Sequence, residues 1–349
     1  MLTIYINLIA TLIILLCSQT ALATAYTYLG TFTYGGTLNG GDTLTMVNST
    51  PTFSSMFAVG FGTGVIEILN SGSPHSINLS KVGSSVIVLA SANNGDFIFG
   101  TDLTINASLN GNGILSGLYS GSAGNTAANT IHNYGSIMLT GPALVINGIN
   151  CDDFTKSVYN HSSGIINIAN TGLRNSTGIY MDASAGNTPN ITNDGTITVT
   201  NPDYSSFGIL NIGEGSNIIN TGTISVNYSY SNGYGIYTAT NSSPTTITNT
   251  GGTITGSRYS VYDNNATTSL FLQGGTLNGD IFNINNLTAD LAVTTINGNT
   301  STNQFINNLD GTIILNGSLT CATSFTNSGT TIVQQGFNQS NLGTFTNTG

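Results

Sequence analysis

The chain of 349 residues has only 5% charged side chains, a net charge of −10, 44 glycines and no tryptophan, where ordinary globular proteins are roughly 25% charged. Its basic residues are Lys81, Lys156, Arg174 and Arg258 alone, too few to neutralise a phosphate backbone or an anionic membrane, so nucleic-acid and anionic-lipid partners are disfavoured. A 39% hydrophobic content, rich in Ile, Val and Leu, argues against disorder.

Residues 1–23 read as a secretory signal peptide. An apolar run from Leu8 to Leu16 leads to the small-x-small site Ala21-Leu22-Ala23, with a second cleavage site after Ala25. The run is shorter than the ~20 residues of a spanning helix. No later segment is long and apolar enough to cross a bilayer. The signal peptide is expected to send the mature chain outside the cell or to a bacterial cell surface, or to the periplasm if the chain is truncated without a translocator.

Residues 24–125 are irregular. Stretches such as "YLGTFTYGGTLNGGDTLTMVN" alternate short strands with turns and are expected to form the N-terminal coils or cap of the repetitive unit C-terminal to them.

Residues 126–349 repeat. Successive units open with "GIYMDASAGNTPNITNDGTITVT" at Gly178, "GILNIGEGSNIINTGTISVN" at Gly208 and "GIYTATNSSPTTITNTGGTITG" at Gly235, with a fainter copy at Ser260 and earlier ones at Ile131 and Val158. Each unit is a short apolar strand, a loop of variable length, an apolar-x-Asn-x-Gly phrase and an alternating strand. A unit of this size cannot bury a core alone, so the units are expected to stack. The predicted fold is all-β, a right-handed parallel β-helix of roughly 20–30-residue coils rising ~4.8 Å each, about 60 Å in total. Ile197, Ile224, Ile254, Ile313 and Ile332 are expected inside. Asn193, Asn220, Asn249, Asn327 and Asn347 share one position, where stacked amides can bond along the rod. Cys151 and Cys321 fall roughly 30 Å apart on such a rod, too far for a disulfide. The closing "FTNTG" of Phe345–Gly349 repeats Phe325–Gly329 and reads as the first strand of an unfinished coil.

The phrases "ITNDGTITV", "IINTGTISV" and "ITNTGGTITG", alternating with "GIY" strands behind a signal peptide, resemble autotransporter passenger domains over roughly residues 130–349. That resemblance implies a bacterial surface or secreted β-helix, adhesin-like and non-enzymatic. Such proteins end in a translocator barrel that this sequence does not show. A truncated or split reading frame is therefore expected, with a two-partner secreted protein or end-to-end assembly as alternatives.

Chemistry is sparse. The carboxylates Asp152, Asp153, Asp182, Glu214 and Asp263, with Lys156, Arg174 and Arg258 nearby, are the candidates for a glycan-cleaving site, weighed against chance proximity on a solenoid. His75, His132 and His161 lack metal-ligand spacing. "GGTLNGD" at Gly274–Asp280 is similar to a calcium nonapeptide but out of register. No cofactor or metal is expected. Outward Thr196, Thr198, Thr223, Ser225, Thr253 and Thr255 suit an ice-binding array, although variable coil length argues against it. A degenerate product without activity is a further alternative. The sharpest candidate site is a row of loop tyrosines, Tyr204, Tyr228, Tyr230 and Tyr259, flanked by Asp203 and Arg258. These would bind glycans or proteins of host or neighbouring cells.

Overall fold

The computed structural model describes residues 96–120, 129–151, 155–172, 174–183, 188–227, 232–240, 243–339 and 344–348, together with strands between Ala25 and Ser91. Both the proposed signal peptide and the boundary near residue 125 lie outside the described residues.

The strands form three faces of a parallel β-helix, consistent with the right-handed form expected. The first face stacks Phe97–Phe99, Asn129–Asn133, Thr155–Asn160, Asn190–Asn193, Asn217–Asn220 and Thr246–Asn249. The second stacks Ser136–Gly141, Ile165–Asn170, Thr196–Thr200 and Thr223–Asn227. The third stacks Ala143–Cys151, Ser176–Ala183, Ser206–Gly213 and Gly233–Thr240. Strands near the N-terminus join the same faces, as Ile66 pairs with Phe97 and His75 with Leu103. At the other end Phe345 pairs with Phe325 and Asn347 with Asn327, as the repeat predicts.

Alternation does the folding. On the second face Ile197 and Val199 point inward and are fully buried, while Thr196 and Thr200 lie exposed. Ile224, Val226, Ile254 and Ile313 are likewise buried, each contributing about 1.5–3 kcal/mol by leaving water. Cys151 and Cys321 are buried in different coils and both remain thiols. Burial pushes the Cys321 thiol up to about 12.

The predicted amide ladder is present and longer than expected. The side-chain amide of Asn133 donates to Asn160 at 2.7 Å, Asn160 to Asn193, Asn193 to Asn220 and Asn220 to Asn249 at 2.8 Å. Successive members are 27, 33, 27 and 29 residues apart, so coil length varies without disturbing the ladder. Leu272 and Ala289 then take the position. Asn307 resumes it, bonding to Asn327 and on to Asn347 at a spacing of 20. Every bond runs in one direction, so the first member of each run has no donor above it. The acceptors left unpaired are indeed the Oδ1 atoms of Asn133 and Asn307.

Ile332 is the exception to the predicted core: it is 46% exposed. It pairs with Ile314, whereas Thr331 pairs with the buried Ile313. The cause is the corner glycine. Gly195 and Gly222 pass so close to the preceding coil that a β-carbon would run into the carbonyl oxygens of Gly164 and Gly195 respectively. That contact fixes each coil's height, and the second residue after the glycine points inward: Ile197 after Gly195, Ile224 after Gly222, Ile313 after Gly311. After Gly329 that residue is Thr331. Its hydroxyl accepts from Asn307 at 3.0 Å and donates to Asn327 at 2.8 Å, while Ile332 turns to solvent.

Candidate functional site

The third face differs from the second in what it turns outward. In register across successive coils stand Tyr119, Asn150, Tyr180, Leu210, Tyr237, Tyr262 and Phe282. This stripe is roughly 30 Å long at strand spacing. Beside it runs a second row, Phe207, Tyr234 and Tyr259. The corresponding file on the second face is Thr196, Thr223, Thr253, Thr276 and Thr295. That threonine file keeps register while coil length changes.

The two aromatic rows interlock. Phe207, Tyr234 and Tyr259 lie near-parallel with centroids 5.2 and 5.5 Å apart. Tyr237, Tyr262 and Phe282 do the same at 5.2 and 5.3 Å. Between the rows the rings meet edge to face, Tyr234 against Tyr237 at 5.1 Å and 84°. Such pairs contribute about 0.5–1.5 kcal/mol beyond burial. Phe207 and Tyr259 are nearly covered, Tyr237 and Tyr262 half-buried, and Phe282 is 41% exposed. Burial, then neighbouring phenols, raises the Tyr234 and Tyr237 hydroxyls above the usual tyrosine value. They remain protonated donors over the physiological range. The guanidinium of Arg258 sits 4.8 Å over the Tyr259 ring and donates to Asn232 at 3.0 Å.

This geometry revises the predicted tyrosine row. Tyr259 is not a loop residue: it lies inside the continuous strand Thr253–Asp263. Its coil has no excursion between second and third faces, so its register partners are Tyr234 and Phe207. Tyr204 stays in the preceding loop, 47% exposed, and makes no ring contact with Tyr259. The Asp203 amide donates to Asn201 Oδ1 in the same turn. Tyr228 and Tyr230 lie outside the described residues. Among the described members of the predicted set, the structure brings together Tyr259 and Arg258. The missed residues, Tyr234, Tyr237 and Tyr262, stand inside the "GIY"-type strands; alternation beside the buried Ile236 and Val261 already marked Tyr237 and Tyr262 as outward, whereas Tyr234 escapes that pattern.

The carboxylates do not converge on one task. Asp263 is buried, and its oxygens accept backbone N–H bonds from Asn265, Thr267 and Thr268, which closes its own loop. Glu214 accepts from the Ser243 hydroxyl. The Asp182 carboxylate faces the Tyr180 hydroxyl at 3.4 Å. Asp152 and Asp153 lie outside the described residues. Among the described residues no three His, Cys, Asp or Glu side chains group to hold a metal ion.

Two histidines that are scattered in the sequence do meet. His132 Nδ1 lies 3.0 Å from His161 Nε2 on the outside of adjacent first-face coils. The His161 ring stacks on Tyr134 at 3.8 Å, and the His132 ring lies parallel to Tyr159 at 5.2 Å.

Fold and surface define a class: a parallel β-helix with a threonine file on its second face and an aromatic-rich stripe on its third, with no assembled catalytic set among the described residues. A family model described as the BigA third pectate lyase-like domain matches residues 18–240. That is well over half of the chain, which belongs to this family. No curated protein and no solved structure matches it.

Proposed function

We propose that this chain is an exported, adhesin-like and non-catalytic β-helix whose third face docks an extended neutral glycan. The carrying observation is the outward stripe from Tyr119 to Phe282, aromatic at every position but Asn150 and Leu210. Half-buried rings with protonated hydroxyls offer apolar edges and hydrogen-bond donors together, which suits sugars. A linear polysaccharide whose sugar repeat is close to strand spacing can meet one coil per sugar. The family name points to a pectate lyase-like fold, and pectate is a polyanion. This chain carries a net charge of −10, and among the described residues only Arg258 brings a cation to the ring lattice. Charge therefore favours a neutral ligand over an acidic one. The apolar run Leu8–Leu16 and the resemblance to passenger domains support export.

The test is a glycan array with the full mature chain, compared with Tyr237→Ala/Tyr262→Ala and with a second-face control, Thr223→Lys. We expect the double variant, its fold verified by circular dichroism, to lose at least about tenfold in affinity, each truncated contact being worth about 1 kcal/mol. The control should bind as the parent does. Loss in the control alone would move the site to the threonine face. Release of shortened sugars from a bound glycan would overturn the non-catalytic reading.

A further inference from the structure

His132 and His161 share one hydrogen bond, and its geometry is informative. Their ring planes differ by 17° and their centroids are 5.3 Å apart, while the facing nitrogens are 3.0 Å apart. The centroid separation exceeds the nitrogen gap by about two ring radii. The imidazoles therefore lie edge to edge, nearly coplanar, with nitrogens head-on. One proton fits between them and a metal ion does not.

The surroundings set the tautomers. Asp96 Oδ2 lies 3.8 Å from His132 Nε2 and favours a proton there, which leaves His132 Nδ1 as the acceptor. His161 then donates from Nε2. Beyond His161 stands Asp194, whose carboxylate accepts from Thr221 at 2.7 Å and attracts a proton toward His161. The neighbouring rings are those of Tyr134 and Tyr159. The cluster thus runs Asp96, His132, His161, Asp194 across successive coils.

We infer that this pair is an acid-released clasp on the first face, joining the coil that contains His132 to the next. A first added proton can sit on the outer nitrogen of His161 and leave the shared bond intact. A second must enter His132 Nδ1, where it meets the His161 N–H head-on and places two cations side by side. Burial is the largest cause lowering the His132 affinity for protons, with Asp96 opposing it. Burial, then His132, lowers that of His161, with Asp194 opposing it. Since the native affinities lie below the ordinary value of 6.5, the opened corner binds protons first. The clasp is complete above pH 6.5 and is lost as pH falls through the lowered values.

The experiment is histidine NMR on the full chain, together with amide exchange at His161, whose N–H bonds to Asn133 O at 2.9 Å. We expect His132 and His161 to titrate in two distinct steps, both below 6.5. Exchange protection at His161, corrected for intrinsic rates, should fall roughly tenfold per pH unit between the two steps, where one proton is linked to opening, and level off below the last. His161→Phe retains a ring to stack on Tyr134 and should reduce the pH-linked loss to the part that burial of His132 alone sets. Asp96→Asn, at a half-exposed residue, should move the His132 step to lower pH. Independent titration of both rings near 6.5, or an unchanged pH-linked loss in His161→Phe, would overturn the clasp.

Discussion

Each coil is set by the spacing between its ladder asparagine and the inward residue of the next strand, and a corner glycine mediates that spacing. Thr331 stands four residues after Asn327, as Ile197 does after Asn193, and so Thr331 takes the inward place. Chemical similarity in the sequence points to Ile332 instead, because isoleucine is the expected core residue. Counting from the glycine finds the right one. The consequence is measurable. Ile332→Ser should change stability by no more than about 0.5 kcal/mol, as surface substitutions do. Ile313→Ser, at a fully buried site, should cost about 3–5 kcal/mol from the lost methylenes and a buried hydroxyl. Urea midpoints of the two variants decide it, and equal shifts would return Ile332 to the core.

At the scale of the element, the same rule explains how coils of different length stack in register. Extra residues enter before the glycine and leave the strand after it untouched. Between Asn249 and Ile254 the added residue is Gly251, with φ of +73° and no atom near its missing β-carbon. A left-handed residue in open space suits glycine and carries no packing. Deleting Gly251 should therefore convert this corner to the shorter one at Asn220–Ile224, at a change of about 1 kcal/mol or less. Inserting one alanine between Gly252 and Thr253 should do far more harm, because a one-residue slip turns the whole strand over and drives Ile254 into solvent. Comparing the thermal midpoints of deletion and insertion tests the asymmetry. Similar losses from both would show that coil length itself, and not the position after the glycine, governs register. The aromatic rows obey the same logic: Tyr259 entered its strand because its coil lacks the loop that holds Tyr204.

For the whole molecule, the stack of parallel coils was legible in the sequence, though not its three faces, because period-two alternation and the Asn-x-Gly phrase recur in nearly every unit. The surface was less legible. The aromatic stripe depends on which residues of different coils share a register, and variable loops between Gly178 and Ser260 hide that alignment from spacing alone. The His132–His161 contact was invisible for a similar reason, since the insertion after His161 obscures its match to Tyr134. What holds the rod together is also unusual in kind. Among the described residues the one contact that could become an ion pair is His132 with Asp96 at 3.8 Å, and burial of His132 disfavours its charged form. Cohesion comes instead from buried aliphatic files and neutral amide ladders. Neutral hydrogen bonds and apolar burial are not screened by salt, whereas surface ion pairs are. Stability at pH 7.5 should thus change by no more than about 0.5 kcal/mol between about 0.02 and about 0.5 M NaCl. Any drift should be upward, because salt relieves repulsion within a chain of net charge −10. Urea is the denaturant to use, since guanidinium is itself a salt. A fall of more than about 1 kcal/mol on adding salt would mean that charge pairs carry the fold, and would refute the account of cohesion given by the ladder and the core.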